Sequence, residues 1–136
     1  MDWPRECGTP DEMEALGRDL ARILGPGEVL GLSGPLGAGK TRLVKGLAAG
    51  FGFGGEVTSP TFTLVHEYRG GSRDLLHLDF YRIGEAAEVE ALGWDELRDD
   101  GAVVAVEWAE KFPGLLPRDC CWLEITILPG DRRRVD

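Results

Sequence analysis

Apolar positions Ala15, Leu16, Leu20, Ile23 and Leu24 recur at helical spacing and predict an amphipathic helix across 9–24. Thr9 stands at its N-cap, Pro10 opens its first turn beside two acids, and "GPG" at 25–27 stops it. The run "EVLGLSG" (28–34) is apolar without alternation, the pattern of a short buried strand. "GKTRLVKGLAAGFG" (39–52) returns to helical spacing with Leu43, Val44, Leu47 and Phe51 inward, until the glycines from Gly52 to Gly55 break it. "TFTLVHEYRG" (61–70) and "DLLHLDFYRI" (74–83) are rich in β-branched and aromatic residues and meet at the turn residues "GGS", so they predict two strands able to close as a hairpin. The acidic stretch "EAAEVEALGWDELRDD" (85–100) predicts helix interrupted at Gly93. "GAVVAVEW" (101–108) is the continuous apolar run of a strand covered on both faces. "KFPGLLP" (111–117) predicts loop, and the alternating "CCWLEITIL" (120–128) predicts a strand near a sheet edge.

These elements sum to an α/β domain around a central sheet, and 136 residues suit one domain with one modest core. Charge changes the picture more than composition does. The formal net charge is −9, from 24 acidic against 15 basic residues. So acidic a domain is poorly suited to hold nucleic acid alone, because phosphate binding needs clustered lysine and arginine. The basic cluster Arg132–Arg134 reads as a solvated hairpin end. Cys7, Cys120 and Cys121 have no metal-type spacing and read as thiols in a reducing compartment. The N-terminal "MDWPREC" lacks a secretory pattern and no apolar run reaches membrane-spanning length, so a cytoplasmic protein with no membrane partner is expected.

Between the first buried strand and the second helix lies "GPLGAGKT" (34–41), which fits the P-loop (Walker A) pattern in the required strand–loop–helix setting. Its glycines permit unusual dihedrals and bring main-chain N–H groups close to phosphate oxygens. Lys40 supplies a positive charge for the outer phosphates, and Thr41 offers a hydroxyl to Mg²⁺. The positive end of the helix dipole points at the same anion. No Asn-Lys-x-Asp guanine-reading motif occurs, which favours ATP.

A P-loop needs a carboxylate at the end of a neighbouring strand to hold Mg²⁺ or its waters. Asp79 ends "LLHL" and Glu107 ends "VVAV"; one can ligate the ion while the other orients the attacking water, and the sequence does not assign the roles. Thr58, Ser59 and Thr61 around Pro60 place hydroxyls where a switch segment meets a γ-phosphate, or simply form a Ser/Thr turn. His66 and His77 read as packed or hydrogen-bonded histidines. Trp108 reads first as core, and Tyr81 and Arg82 as neighbours of the site.

"GPLGAGKT", "VTSPTFTLVHEY", "LLHLDFYRI", "EALGWDEL" and "VVAVEWAEKFPGLLP" together resemble, in order and spacing, the TsaE (YjeE) family of bacterial P-loop ATPases. The resemblance covers nearly the whole chain. It implies a P-loop NTPase-like three-layer sandwich with a central, mostly parallel sheet and an antiparallel hairpin or edge. It also implies a part in making threonylcarbamoyladenosine beside the anticodon of tRNA. ATP hydrolysis, slow in the isolated protein, would reset a complex of the TsaB and TsaD proteins, and tRNA would be met only through that complex. By position, Lys40 and the backbone from Gly37 through Ala38 and Gly39 to Thr41 would hold phosphates, with Pro35 and Leu36 also among the cofactor-binding residues; Thr41 and Glu107 would ligate Mg²⁺, and Asp79 would be needed for hydrolysis. Ser59 and Thr61 would belong to a nucleotide-responsive loop, with Trp108 close to the site. The adenine end would be met around Thr9 and Pro10 and around Gly130 and Arg132. Arg42 departs from the family pattern, where a second threonine is common, and members commonly continue beyond the position of Asp136. Two other classes share the loop: a small-molecule kinase, for which no internal Arg-rich lid is visible, and an adaptor that works by nucleotide occupancy alone.

Overall fold

The computed structural model describes residues 2–55 and 64–136. The chain begins with β1 (Arg5–Cys7), α1 (Pro10–Ala21), β2 (Val29–Ser33) and α2 (Lys40–Gly50). It continues through β3 (Val65–Tyr68), β4 (Leu75–Asp79), α3 (Ala86–Ala91), α4 (Trp94–Arg98), β5 (Val103–Glu107), β6 (Cys121–Leu128) and β7 (Arg132–Val135). Two 3₁₀ turns, Ala109–Lys111 and Pro113–Leu115, occupy the expected loop between β5 and β6.

The strands form one seven-stranded sheet in the order β1-β7-β6-β2-β5-β4-β3. The central run β6-β2-β5-β4 is parallel. Antiparallel pairs flank it, β3 with β4 on one side and β6, β7 and β1 on the other. One core layer joins the sheet to α1 and α2 through Leu16, Leu20, Leu30, Leu32, Leu43 and Leu47. The other joins the opposite face to Val89 of α3 and Trp94 of α4 through Leu76, Leu78, Val104 and Val106. β2, β4 and β5 are buried at every position, which is why they read as uninterrupted apolar runs.

Two elements differ from expectation. β6 is not near an edge: it lies between β2 and β7. Its alternation arises because Leu123 and Ile125 enter the core while Trp122, Glu124 and Thr126 lie exposed on the other face. Alternation reports one covered face, and an interior strand can have that too. β4 ends at Asp79 instead of running on to Ile83, because the Asp79 carboxylate accepts a hydrogen bond from the Tyr81 N–H at 2.8 Å and turns the chain. β1 has no apolar pattern of its own. It forms by pairing Arg5, Glu6 and Cys7 with Val135, Arg134 and Arg133.

α1 starts as its sequence predicts. The Thr9 hydroxyl accepts from the Glu12 N–H at 3.1 Å, and the Glu12 carboxylate accepts from the Gly8 N–H at 2.7 Å. α1 and α2 then cross with their backbones nearly touching. A Cβ on Gly17 would lie 2.1 Å from the Leu43 carbonyl oxygen, and one on Gly46 would lie 2.0 Å from that of Glu14. This crossing fixes where the N-terminus of α2 meets the sheet.

Candidate functional site

Strand register sets the site. In the parallel pairs, Leu32 of β2 lies opposite Glu107, and Glu107 lies opposite Asp79. The carboxyl ends of β2, β5 and β4 therefore finish at one level, the place where open α/β sheets bind ligands. Side chains two apart in a strand share a face, so His77, Asp79, Ala105 and Glu107 point to the side that carries α2.

The loop from Gly34 to Gly39 caps these ends. Gly37 has φ 77°, and among the described residues nothing lies within 4 Å of where its Cβ would be, which leaves its main chain open on that side. Gly39, the N-cap of α2, has φ 106°, a left-handed conformation that disfavours any side chain, and the Met13 methyl lies 3.2 Å from its Cβ position. Among the described residues no side chain caps α2, and a helix start of this kind can receive an anion.

Lys40 is 4% exposed. Its ammonium donates to the Gly34 carbonyl and, at 3.1 Å, to that of Pro35, and it lies 4.0 Å from the centre of the Trp108 ring. Burial pushes its pKa below the ordinary lysine value; the nearby carboxylates of Glu107, Glu110 and Asp79 oppose that shift without cancelling it. Glu107 Oε2 accepts from the Thr41 hydroxyl at 2.8 Å and is paired with His77 Nε2 at 2.6 Å. Trp108 adopts φ 57°, an uncommon conformation for a bulky residue, and its ring stacks on Tyr81 at 4.9 Å. The Lys111 ammonium fixes the segment after Asp79 by donating to the carbonyls of Tyr81 (2.9 Å) and Ile83 (2.6 Å).

A cavity of about 460 Å³ is lined by the loop and α2 residues Leu36–Arg42 and by Asp79, Tyr81, Arg82, Glu107 and Trp108. A second, of about 220 Å³, lies behind the loop between the start of α1 (Thr9, Pro10, Met13), Gly37–Gly39, Arg42 and the β6–β7 turn. Arg133 reaches into this second region, donating to the carbonyls of Ala38 (3.1 Å) and Gly37 (3.0 Å) and to the Asp131 carboxylate (2.9 Å).

A family model described as "Threonylcarbamoyl adenosine biosynthesis protein TsaE" matches residues 7–135. The chain belongs to the TsaE family. It is 40% identical over 126 residues to the tRNA threonylcarbamoyladenosine biosynthesis protein TsaE of Bacillus subtilis, covering 93% of this chain and 78% of that protein. It is 48% identical over 103 residues to the protein of the same description from Synechocystis, covering 73% of this chain but 65% of that relative, less than two thirds of its length. The crystal structure of Bacillus subtilis YdiB superposes with a TM-score of 0.80 at 34% identity, covering 97% of this chain and 81% of that one.

In this TsaE-family chain, Leu36, Gly37, Ala38, Gly39, Lys40, Thr41, Asp79, Glu107 and Trp108 line one cavity. Pro35 borders a neighbouring groove and gives its carbonyl to Lys40. Thr9 and Pro10 line the second cavity, with the Thr9 hydroxyl engaged as a helix cap. Arg132 does not line it; it lies 3.7 Å from Glu6, while Arg133 faces the loop. Adjacent strand residues point to opposite faces, so pairing Leu128 with Arg132 and Ile127 with Arg133 decides which arginine meets the glycines. Thr58, Ser59 and Thr61 lie outside the described residues. His77, read as packed or hydrogen-bonded, is both, and its bond is to Glu107. The two-residue spacing of His77 and Asp79 in a strand was the signal that could have placed it at the site. Among the described residues, no helix is long and apolar enough to cross a membrane.

Proposed function

We propose that this chain binds and hydrolyses ATP with Mg²⁺ and supports threonylcarbamoyladenosine formation on tRNA by acting on a TsaB–TsaD complex. The relatives named above are tRNA threonylcarbamoyladenosine biosynthesis proteins, which supports the pathway. The convergence of Lys40, Thr41, Asp79 and Glu107 on one cavity beneath an uncapped helix supports the chemistry.

Thr41 and Glu107 fit Mg²⁺: a hydroxyl and a carboxylate are hard oxygen donors, and they already lie within hydrogen-bond distance at 2.8 Å. The ion would neutralise phosphate charge. Lys40 and the first N–H groups of α2 bind the phosphate tail. Asp79, whose Oδ1 is held by the Tyr81 N–H at 2.8 Å, orients the water whose oxygen attacks the γ-phosphorus. The bond from that phosphorus to the bridging oxygen breaks, giving ADP and inorganic phosphate. Leu36 and Tyr81 at the rim are 64% and 40% exposed, which supports a site completed by a docked partner and slow turnover without one.

Electrostatics makes the metal requirement testable. The Lys40 ammonium faces the carboxylates of Glu107, Glu110 and Asp79, so a phosphate tail brought to this cavity without a metal ion meets carboxylate charge as well as the cations Lys40, Arg42 and Arg82. Replacing Mg²⁺ with excess EDTA is expected to weaken ATP binding about tenfold or more in a calorimetric titration, equivalent to about 1.4 kcal/mol. Equal affinity in both conditions would contradict this reading. Repeated rounds of tRNA modification by TsaB, TsaD and this protein with ATP, but a single round with a non-hydrolysable analogue, is the expected result in reconstitution. Fast hydrolysis by the isolated chain, unchanged by the partners, would count against it.

Arg133, whose side chain is 18% exposed, clamps the loop from behind. Arg133→Ala is expected to weaken ATP binding about five- to thirtyfold, the loss of about 1–2 kcal/mol of charged hydrogen bonding, whereas Arg132→Ala changes it less than about twofold. The same titration compares the two variants.

A further inference from the structure

We propose that His77 is a positioning residue that aims the Glu107 carboxylate at the metal site; this rests on the reading of Glu107 as the Mg²⁺ ligand. His77 lies in β4, fully buried, with Nε2 at 2.6 Å from Glu107 Oε2. That oxygen also accepts from Thr41 at 2.8 Å, so two donors on different elements converge on one carboxylate oxygen. Glu107 itself is 4% exposed.

The register shows how the contact is made. Directly opposite His77 is Ala105, the smallest side chain in β5, and Glu107 is the next residue along the same face. The imidazole reaches diagonally over the alanine to the carboxylate. At the other nitrogen, Nδ1 is buried and has no hydrogen-bond partner among the described residues. A buried polar atom without a partner disfavours folding, so a histidine is poor filler for an apolar strand face. The bond at Nε2 gives the residue its use.

The consequence concerns preorganisation. A Thr41 hydroxyl that gives an oxygen lone pair to a metal ion would be redirected by it, and the geometry of its bond to Glu107 would change. The bond from His77 does not depend on that hydroxyl, and it keeps the carboxylate in one orientation before and after the change. Histidines and other partners behind a metal ligand commonly alter metal affinity by about ten- to a hundredfold.

The test measures binding of a non-hydrolysable ATP analogue across a range of Mg²⁺ concentrations, by calorimetry. His77→Leu fills the space but removes the donor, and is expected to raise the half-saturating Mg²⁺ concentration about tenfold or more. Affinity for the analogue in EDTA stays within about twofold. His77→Gln, whose amide N–H reaches near the Nε2 position, returns the Mg²⁺ requirement to within about threefold of the unchanged chain. His77→Asn, equally polar but shorter, does not. The Gln and Asn pair decides the matter if the leucine variant fails to fold. An unchanged Mg²⁺ requirement in His77→Leu, or Gln and Asn variants that behave alike, would overturn the proposal while leaving the assignment of Glu107 intact. An unchanged chain whose binding ignores Mg²⁺ would overturn both.

Discussion

Lys40→Ala is expected to weaken ATP binding at least about a hundredfold while changing the melting temperature by no more than about 3 °C. The loss follows from the geometry of the ammonium. It sits in a nearly closed setting, 4% exposed, between the Gly34 and Pro35 carbonyls and the Trp108 ring. A charged hydrogen bond to phosphate in such a place contributes about 1.5–3 kcal/mol, and the favourable charge is lost with it, so about 3 kcal/mol, or a hundredfold, is the expected scale. Stability moves little because the ammonium is itself held at a cost. Its pKa is lowered mainly by desolvation. A lowered lysine pKa means that folding disfavours the protonated form. The penalty is in force at neutral pH, where lysine is protonated both folded and unfolded, and is relieved only as pH rises toward the unfolded value. Alanine removes the penalty and the carbonyl bonds together, and the two changes offset. Calorimetric titration and thermal melts of the same preparation check both halves. Retained ATP binding in a folded Lys40→Ala protein would refute the placement of phosphates in this loop.

The second large effect concerns the fold. Gly46→Val is expected to lower the melting temperature by at least about 10 °C. Helix propensity alone favours a side chain at Gly46, in the interior of α2, by up to about 1 kcal/mol. Packing opposes it. The Cβ would lie 2.0 Å from the Glu14 carbonyl oxygen and 2.7 Å from its carbon, both backbone atoms that cannot rotate away. Gly17 on α1 stands in the same relation to Leu43 of α2, at 2.1 Å, so the clash cannot be relieved by a small slide of one helix. The helices must separate, at a cost of about 3 kcal/mol or more. For a chain of 136 residues each kcal/mol is worth about 3–4 °C. Gly114→Ala is the control: among the described residues, its chain neighbours aside, no atom lies within 4 Å of its Cβ position, and a change of less than about 1 kcal/mol is expected. Because α2 carries Lys40 and Thr41 in its first turn, any surviving fold of Gly46→Val should also bind ATP poorly. A melting temperature within about 2 °C of the parent would mean that the crossing is not as tight as described.

Much of this molecule is legible in the residues themselves, for a local reason. α1 declares itself by its apolar spacing, Thr9 and Pro10, and the observed Thr9–Glu12 bond uses those same local groups. β2, β4 and β5 are apolar throughout because both their faces are covered. "GPLGAGKT" between β2 and α2 is legible as a loop from its glycines alone, and Gly37 and Gly39 do adopt left-handed conformations there. The break at Gly93, where φ is 85°, is equally local.

Pairings between distant segments depended on the fold. The residues of β1 carry no pattern and become a strand only through β7, so nothing within 5–7 announces them. The alternation of β6 marks one exposed face and cannot tell an edge from an interior position. Adjacent arginines at 132 and 133 are chemically alike, and strand register alone turns Arg133 to the glycine loop and Arg132 to Glu6. Register likewise sets Asp79 opposite Glu107 and brings His77 to that carboxylate across 30 positions of chain. Local spacing thus determined which elements form and where the glycine-rich loop falls between β2 and α2. Only hydrogen bonding between strands far apart in the chain, with its strict period of two, decided which side chains surround that loop.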